Sequence, residues 1–130
     1  MLLFAGRLRE SVAIAAEAEA LSGGDPDLGA DITGFSSYCV TLAFSGAATA
    51  WLGRPLDGAR VVEQAIEIAR QRRDAEAAVW AHTMSVWVHD TLGDADPGLR
   101  HVRIARCRSS SRRRSASPCV AASKHVDRTA

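Results

Sequence analysis

The first residues that could do chemistry are three aspartates close together in the chain: Asp25, Asp27 and Asp31. Carboxylates at alternate positions are typical of calcium loops, which also need a glycine at the sixth position and a bidentate glutamate at the twelfth. Counted from the first aspartate, those positions hold Ala30 and Ser36. The stretch is therefore predicted to be a solvated loop in which Asp25 and Pro26 form the turn.

Two histidines, His82 and His89, lie seven residues apart in a stretch with helical periodicity. Metal ligands on one helix are usually four residues apart, whereas a spacing of seven separates the rings by about 10 Å along the axis. The spacing favours two partly exposed helix residues over a metal site. We therefore predict no bound metal.

Common catalytic motifs are absent from the sequence. There is no phosphate loop of the form G-x4-G-K-[ST], and the single lysine is Lys124. A G-x-S-x-G nucleophile elbow and an H-E-x-x-H zinc motif are also missing. The expectation is a protein that is not an enzyme and that uses no cofactor.

Tryptophan supplies three of the seven aromatic residues, at Trp51, Trp80 and Trp87. Packing between neighbouring helices is the interpretation that we favour for these large side chains. The alternative is an aromatic lining for a concave peptide-binding face, which is a common use of helical repeats. Under that alternative, all three tryptophans are candidate partner-binding residues.

The elements that would position these residues show an internal repeat, because small residues spaced five and then seven apart occur three times. The three sets are Gly6, Ser11 and Ala18, then Gly53, Gly58 and Ala65, then Gly93, Gly98 and Ala105. The third set lies 40 residues after the second, and the first lies 47 residues before it. Such a period indicates a helical repeat, which we place over residues 1–105.

Segments between these small residues are predicted to be helices over 37–52, 55–72 and 75–91. Gly53 and Gly93 suit the left-handed position that follows a helix, and Pro55 and Pro97 suit the start of the next one. The second segment has an apolar stripe at spacings of three and four. Its members are Leu56, Ala59, Val62, Ile66 and Ala69.

Segment 37–52 differs from the others because its seam consists of small side chains, at Cys39, Ala43, Gly46 and Ala50. A seam of this kind lets the backbone of another helix approach closely. Glycine inside a helix costs about 1 kcal/mol relative to alanine, so Gly46 predicts a packing contact that offsets the loss. We expect this helix to lie between two neighbours.

These residues resemble the tetratricopeptide consensus. The matching positions are Gly46, Gly53, Gly58, Val62, Ala65 and Ile66, and in the following copy Gly93, Gly98, Val102 and Ala105. The later copy departs from the pattern at Val86 and Arg106, and the period exceeds the family's usual length of about 34 residues. The resemblance implies an all-α fold of antiparallel helix pairs, stacked as a solenoid of about two and a half repeats.

A narrower resemblance involves segments 24–35, 43–44 and 51–54, which are similar to the C-terminal helical region of large bacterial signalling ATPases. In those proteins the region follows a nucleotide cyclase or precedes a helix-turn-helix output domain. The resemblance implies a fragment of a longer solenoid that belongs to a signalling or transcriptional regulator. Its expected partners are a peptide, another protein or other domains of such a regulator.

Charge is distributed unevenly along the chain, although the formal net charge is only +1. Residues 1–99 hold 7 basic and 14 acidic side chains, whereas residues 100–130 hold 9 basic and 1 acidic. From Arg106 the helical pattern stops, and residues 106–130 are predicted to be a basic, Ser/Arg-rich, disordered tail. Three explanations stay open: a contact to nucleic acid or an anionic membrane, a phosphorylated segment, or a shifted reading frame.

The leading functional prediction is a non-enzymatic scaffold that binds a protein or couples domains within a regulator. The alternative is a nucleic-acid-associated regulator that uses the basic tail. No apolar run approaches the roughly 18 residues of a membrane span, so the expected location is cytoplasmic. Unpaired solenoid ends also predict self-association.

Overall fold

The computed structural model describes residues 3–111, with side chains described from 3 to 107, and the regular secondary structure of that part is entirely helical. The helices are α1 (Leu8–Ser22), α2 (Ala30–Thr33), α3 (Ser37–Trp51), α4 (Pro55–Gln71), α5 (Ala75–Leu92) and α6 (Ala95–Ser111). The expected all-α class is confirmed for these residues. Within the same part of the chain, no helix has the length and apolar character needed to cross a membrane.

Helix ends lie where local signals place them. Ser36 caps α3 by accepting a hydrogen bond from the Cys39 N–H at 3.2 Å, and Asp74 caps α5 through the Ala77 N–H at 3.0 Å. Gly53 and Gly93 follow α3 and α5 with φ of +87° and +70°, a region that glycine enters without steric cost. The predicted bounds of these helices are therefore correct to within about a residue.

Consecutive helices from α3 to α6 pack against each other, and α3 lies between several neighbours. Connections of two or three residues join α3 to α4, α4 to α5 and α5 to α6, so consecutive helices are antiparallel neighbours. Helix α3 packs against α1, α4 and α5, and α5 packs in turn against α4 and α6. The prediction that segment 37–52 lies between neighbours is confirmed.

Helices α3 and α4 cross closely at two glycines. A Cβ atom on Gly46 would lie 2.5 Å from Val62 Cγ2 and 2.8 Å from the Gly58 carbonyl oxygen. Conversely, a Cβ atom on Gly58 would lie 2.5 Å from the Gly46 oxygen and 2.9 Å from the Ala50 nitrogen. Each glycine thus makes room for the other's backbone, which explains why a helix tolerates both.

The core between the helices is built mainly from small side chains. Buried residues shared by α3, α4 and α5 are Cys39, Leu42, Ala43, Ala47, Ala48, Ala50, Val62, Ala65, Ala69, Ala77, Ala78, Ala81, Met84 and Val88. Alanine loses no side-chain entropy on burial and has the highest helix propensity. Close helix spacing therefore replaces bulky side chains as the source of packing.

Other repeat positions occupy comparable places in their helices. Ala65 is fully buried in α4, Gly98 is buried in α6, and Ala105 is half-buried. Gly98 stands at the same position of α6 as Gly58 in α4, but its nearest contact would be His89 Cβ at 3.6 Å. The α5–α6 crossing is therefore wider, and an open groove lined by Val86 and other residues lies beside it.

Two predictions about the helices were wrong. Leu56 is 66% exposed. It lies about 200° around α4 from Gly58, and the neighbouring helix contacts α4 on the Gly58 side.

The helical pattern also does not stop at Arg106, since α6 continues to Ser111. Arginine has a high helix propensity, so an apolar stripe is not required at every turn. The remainder of the predicted tail, residues 112–130, lies outside the described residues.

Candidate functional site

Four aromatic side chains from α3 and α5 form two ring pairs, which we together call the aromatic surface: Phe44, Trp51, Trp80 and Trp87. Trp51 and Trp87 stack with ring centroids 5.3 Å apart and planes 17° apart. Phe44 and Trp80 form a second pair at 5.6 Å and 42°. The structure thus brings the three predicted tryptophans to a single face of the molecule.

Exposure distinguishes the members of the aromatic surface. Trp51 is 41% exposed, whereas Phe44, Trp80 and Trp87 are half-buried against the core. The surface therefore combines packing between α3 and α5 with an apolar face that solvent reaches. Tryptophan and tyrosine anchors of this kind dominate binding energy where protein surfaces meet.

Phe4 lies over the junction between the two ring pairs. Its ring meets Phe44 at 6.1 Å and Trp87 at 5.7 Å, with interplanar angles of 83° and 87°. Edge-to-face pairs with this geometry are favourable because the positive edge of one ring faces the negative face of the other. The adjacent Leu3 is only 3% exposed and belongs to the core.

A histidine cluster occupies the α5–α6 interface. His101 of α6 lies between the two histidines of α5, with ring centroids 5.1 Å from His82 and 5.4 Å from His89. The Nδ1 atoms of His82 and His101 are 2.8 Å apart, so one of them must carry a hydrogen and the other must accept it. The expected exposure of His82 was wrong, since only 5% of this residue is accessible.

Positive charge on His101 is disfavoured. Burial lowers the pKa of His101, and repulsion from His89 and Arg100 lowers it further. A neutral His101 ring can form the hydrogen bond with His82, whereas two protonated rings would each direct an N–H donor at the other. Within residues 3–111, no group of three or more histidine, cysteine or acidic side chains is arranged to hold a metal ion.

The loop aspartates have structural contacts in the fold. The Asp25 carboxylate accepts a hydrogen bond from the Asp27 N–H at 2.8 Å, which forms the expected turn. Asp27 pairs with Arg72 at the end of α4. Asp31 lies in α2 rather than in a continuous loop, because a single helical turn interrupts the connection.

A buried polar network joins the starts of α3 and α5. Besides capping its own helix, Asp74 accepts a hydrogen bond from the Ser36 N–H at 2.7 Å. The Ser36 hydroxyl donates to the Pro26 carbonyl at 2.8 Å, and Ser36 is fully buried. The thiol of Cys39 lies 2.9 Å from the Ala65 oxygen, and burial together with the Asp74 charge raises the pKa of this thiol to about 11. These groups hold the scaffold that positions the aromatic surface.

Comparison with protein-family models, curated proteins and solved structures finds no match for this chain.

The sequence identified the three tryptophans but missed Phe4, Phe44 and the role of His101. Phe44 lies seven residues before Trp51 on α3, as Trp80 lies seven residues before Trp87 on α5. That shared spacing was a signal that could have placed all four rings on matching faces. For Phe4 and His101 no such signal exists, because neither lies on the same element as its partners.

Proposed function

We propose that this chain is a non-enzymatic scaffold that binds a peptide or a protein segment through the aromatic surface. The observation that carries the proposal is the stacked, 41% exposed Trp51 beside Trp87, with Phe44 and Trp80 paired on the same two helices. An apolar face with several adjacent aromatic rings offers a large contact area with few rotatable bonds. Residues 1–99, which include the aromatic surface, carry an excess of acidic side chains.

The architecture that we propose for this scaffold is a tetratricopeptide-like stack of antiparallel helix pairs. Support comes from the 40-residue spacing that relates the turn Gly53 to Gly93, and from the equivalent helical positions of Gly58 and Gly98. In this arrangement α3 and α5 are the first helices of successive pairs, with α4 and α6 as the second. The aromatic surface then lies on the first helices, where neighbouring pairs present a shared face.

The wider role that we propose is coupling of a partner or of neighbouring domains in a signalling or transcriptional regulator. The support for this role is the resemblance of segments 24–35, 43–44 and 51–54 to helical regions of signalling ATPases. Binding through the basic residues 106–130 to nucleic acid stays a separate prediction, and the described side chains supply no observation that favours it.

A selection experiment tests the scaffold proposal. A phage library of random 12-residue peptides is panned on the full chain, and the enriched peptides are synthesised and titrated by calorimetry. Trp51→Ala is expected to weaken their binding at least tenfold, because loss of a central aromatic anchor costs more than about 1.4 kcal/mol.

The matched control is Leu21→Ala, since Leu21 is 88% exposed on α1 and lies outside the aromatic surface. This variant is expected to bind the selected peptides as the unmodified chain does. The proposal is wrong if no peptide is enriched, or if the tryptophan and leucine variants bind equally well.

A further inference from the structure

The segment that precedes α1 lies on the same face as the aromatic surface. Leu3 is 3% exposed and packs within the core, and Phe4 contacts one ring from each aromatic pair. The chain then turns toward α1, with the Gly6 N–H donating to the Leu3 carbonyl at 3.1 Å and Gly6 at a φ of +74°. Phe4, in a short non-helical segment, therefore lies between the two ring pairs of the surface.

The two side chains are held in the way that pockets hold ligand side chains. The aliphatic residue is inserted almost completely, whereas the aromatic residue is 56% exposed and lies across Phe44 and Trp87. Phe4 connects the Phe44–Trp80 pair to the Trp51–Trp87 pair. A binding partner that used all four rings would have to take the place of Phe4.

We propose that Leu3 and Phe4 are an intramolecular occupant of the aromatic surface, which a partner segment displaces when it binds. The partner is an extended peptide segment that presents an aliphatic side chain directly followed by an aromatic one. The inference rests on the proposed scaffold function and names the chemistry of its partner. The chain's own segment lowers the affinity for that partner by competing for the same place.

The physical reason for displacement, rather than simple addition, is the geometry at Phe4. The Phe4 ring lies nearly perpendicular to the rings of both Phe44 and Trp87, with centroids 6.1 Å and 5.7 Å away. A second aromatic side chain cannot make those contacts while Phe4 makes them. Because Phe4 makes both ring contacts that an incoming aromatic side chain would make, removal of Phe4 is expected to raise the partner affinity roughly tenfold.

The experiment uses the full chain and a synthetic peptide with the sequence of residues 1–7, acetylated and amidated. Calorimetric titration compares the unmodified protein, Phe4→Ala and the exposed-residue control Leu21→Ala. The peptide is expected to bind Phe4→Ala about tenfold or more tightly than the other two proteins. A peptide in which serine replaces the phenylalanine is expected to bind none of them measurably.

A second measurement keeps the test independent of any loss of stability in the variant. Far-ultraviolet circular dichroism checks that Phe4→Ala is folded, and Phe4→Leu supplies a variant that keeps an apolar side chain. Acrylamide quenching of tryptophan emission is expected to increase in both variants and to return to the unmodified level when the peptide is added. Unchanged quenching in both variants would show that Phe4 does not cover the surface and would overturn the inference.

Other outcomes are equally decisive. Equal peptide affinity for Phe4→Ala and the unmodified chain refutes competition by the segment. Dimerisation of Phe4→Ala without peptide binding, measured by sedimentation, would assign the surface to a second copy and overturn the proposed partner. If the peptide fails but library-selected peptides still depend on Trp51, the inference falls and the scaffold proposal stands; if both fail, both fall.

Discussion

Substitution of Gly58 by alanine is predicted to destabilise the protein, although alanine normally stabilises a helix. The added Cβ would lie 2.5 Å from the Gly46 oxygen and 2.9 Å from both Ala50 N and Ala50 Cβ. Two of these three atoms belong to the backbone of α3, so no side-chain rotation can relieve the contacts. The two helices must instead move apart by roughly 1 Å to reach ordinary contact distances of about 3.5 Å.

The magnitude follows from opposing effects. Overpacking of a close contact costs about 1–3 kcal/mol, and a gap of 0.5–1 Å elsewhere along the interface forfeits about a quarter to a half of each dispersion contact. Replacing glycine by alanine in a helix returns about 1 kcal/mol. If the lost dispersion contacts roughly offset this gain in helix propensity, the expected net loss for Gly58→Ala is about 1–3 kcal/mol of unfolding free energy.

Gly98→Ala is a matched control, because Gly98 occupies the equivalent position of α6. Its added Cβ would meet only His89 Cβ, at the ordinary distance of 3.6 Å. The same chemical change is expected to be neutral or to stabilise by up to about 1 kcal/mol, since the helix-propensity gain is not opposed. The two variants should thus change stability in opposite directions.

Urea unfolding followed by circular dichroism at 222 nm measures both variants against the unmodified chain in one buffer. Thermal unfolding should show the same order, with about 3–5 °C of midpoint shift per kcal/mol for a chain of this length. If Gly58→Ala is as stable as Gly98→Ala, the close α3–α4 crossing does not exist in solution. The spacing argument built on Gly46 and Gly58 would then be refuted.

Three further predictions concern the polar groups. Because burial lowers the pKa of His101 below its unfolded value of about 6.5, the unfolded chain binds more protons below that pH. The His101 contribution to stability is thus complete above pH 6.5 and decreases as the pH falls further. In a plot of urea midpoint against pH, His101→Leu should flatten the part below pH 6.5. An unchanged plot would contradict the assignment of this pH dependence to His101. Asp74→Ala should lower the free energy of unfolding by about 2–4 kcal/mol, because it removes a helix cap and leaves the buried Ser36 N–H unpaired. The control Asp57→Ala, at an exposed ion pair, should lower it by less than about 1 kcal/mol. Equal urea midpoints for the two variants would exclude the network. Cys39, whose pKa is raised to about 11, should resist iodoacetamide at pH 8 until the protein unfolds, and rapid labelling seen by peptide mass spectrometry would show that this thiol is accessible.

Helix positions could be predicted from the sequence because their signals are local. Gly53, Pro55 and Gly93 act on the backbone within one turn of themselves, so the starts and ends of α3, α4 and α5 did not depend on the rest of the chain. The close approach at Gly46 was also predictable. A glycine in a helix has an intrinsic cost, and a packing contact is the usual compensation.

Which face of a helix becomes buried was harder to predict. Leu56 fitted an apolar stripe by spacing, but α3 contacts α4 along the side that carries Gly58 and Ala65, and Leu56 lies on the opposite side. In this protein small side chains, rather than large ones, mark the buried face. Hydrophobic periodicity therefore gave the right helix and an imperfect orientation.

What the sequence alone determined was the helical class, the helix ends, the repeat spacing and the close seam at Gly46, because each depends on backbone preferences within a few residues. Only the tertiary structure placed His101 between His82 and His89, and Phe4 across Phe44 and Trp87. These contacts join residues far apart in the chain, and no short-range pattern specifies them. Their physical basis is the packing of α5 against both α3 and α6, which brings separate helices and the segment before α1 to common surfaces.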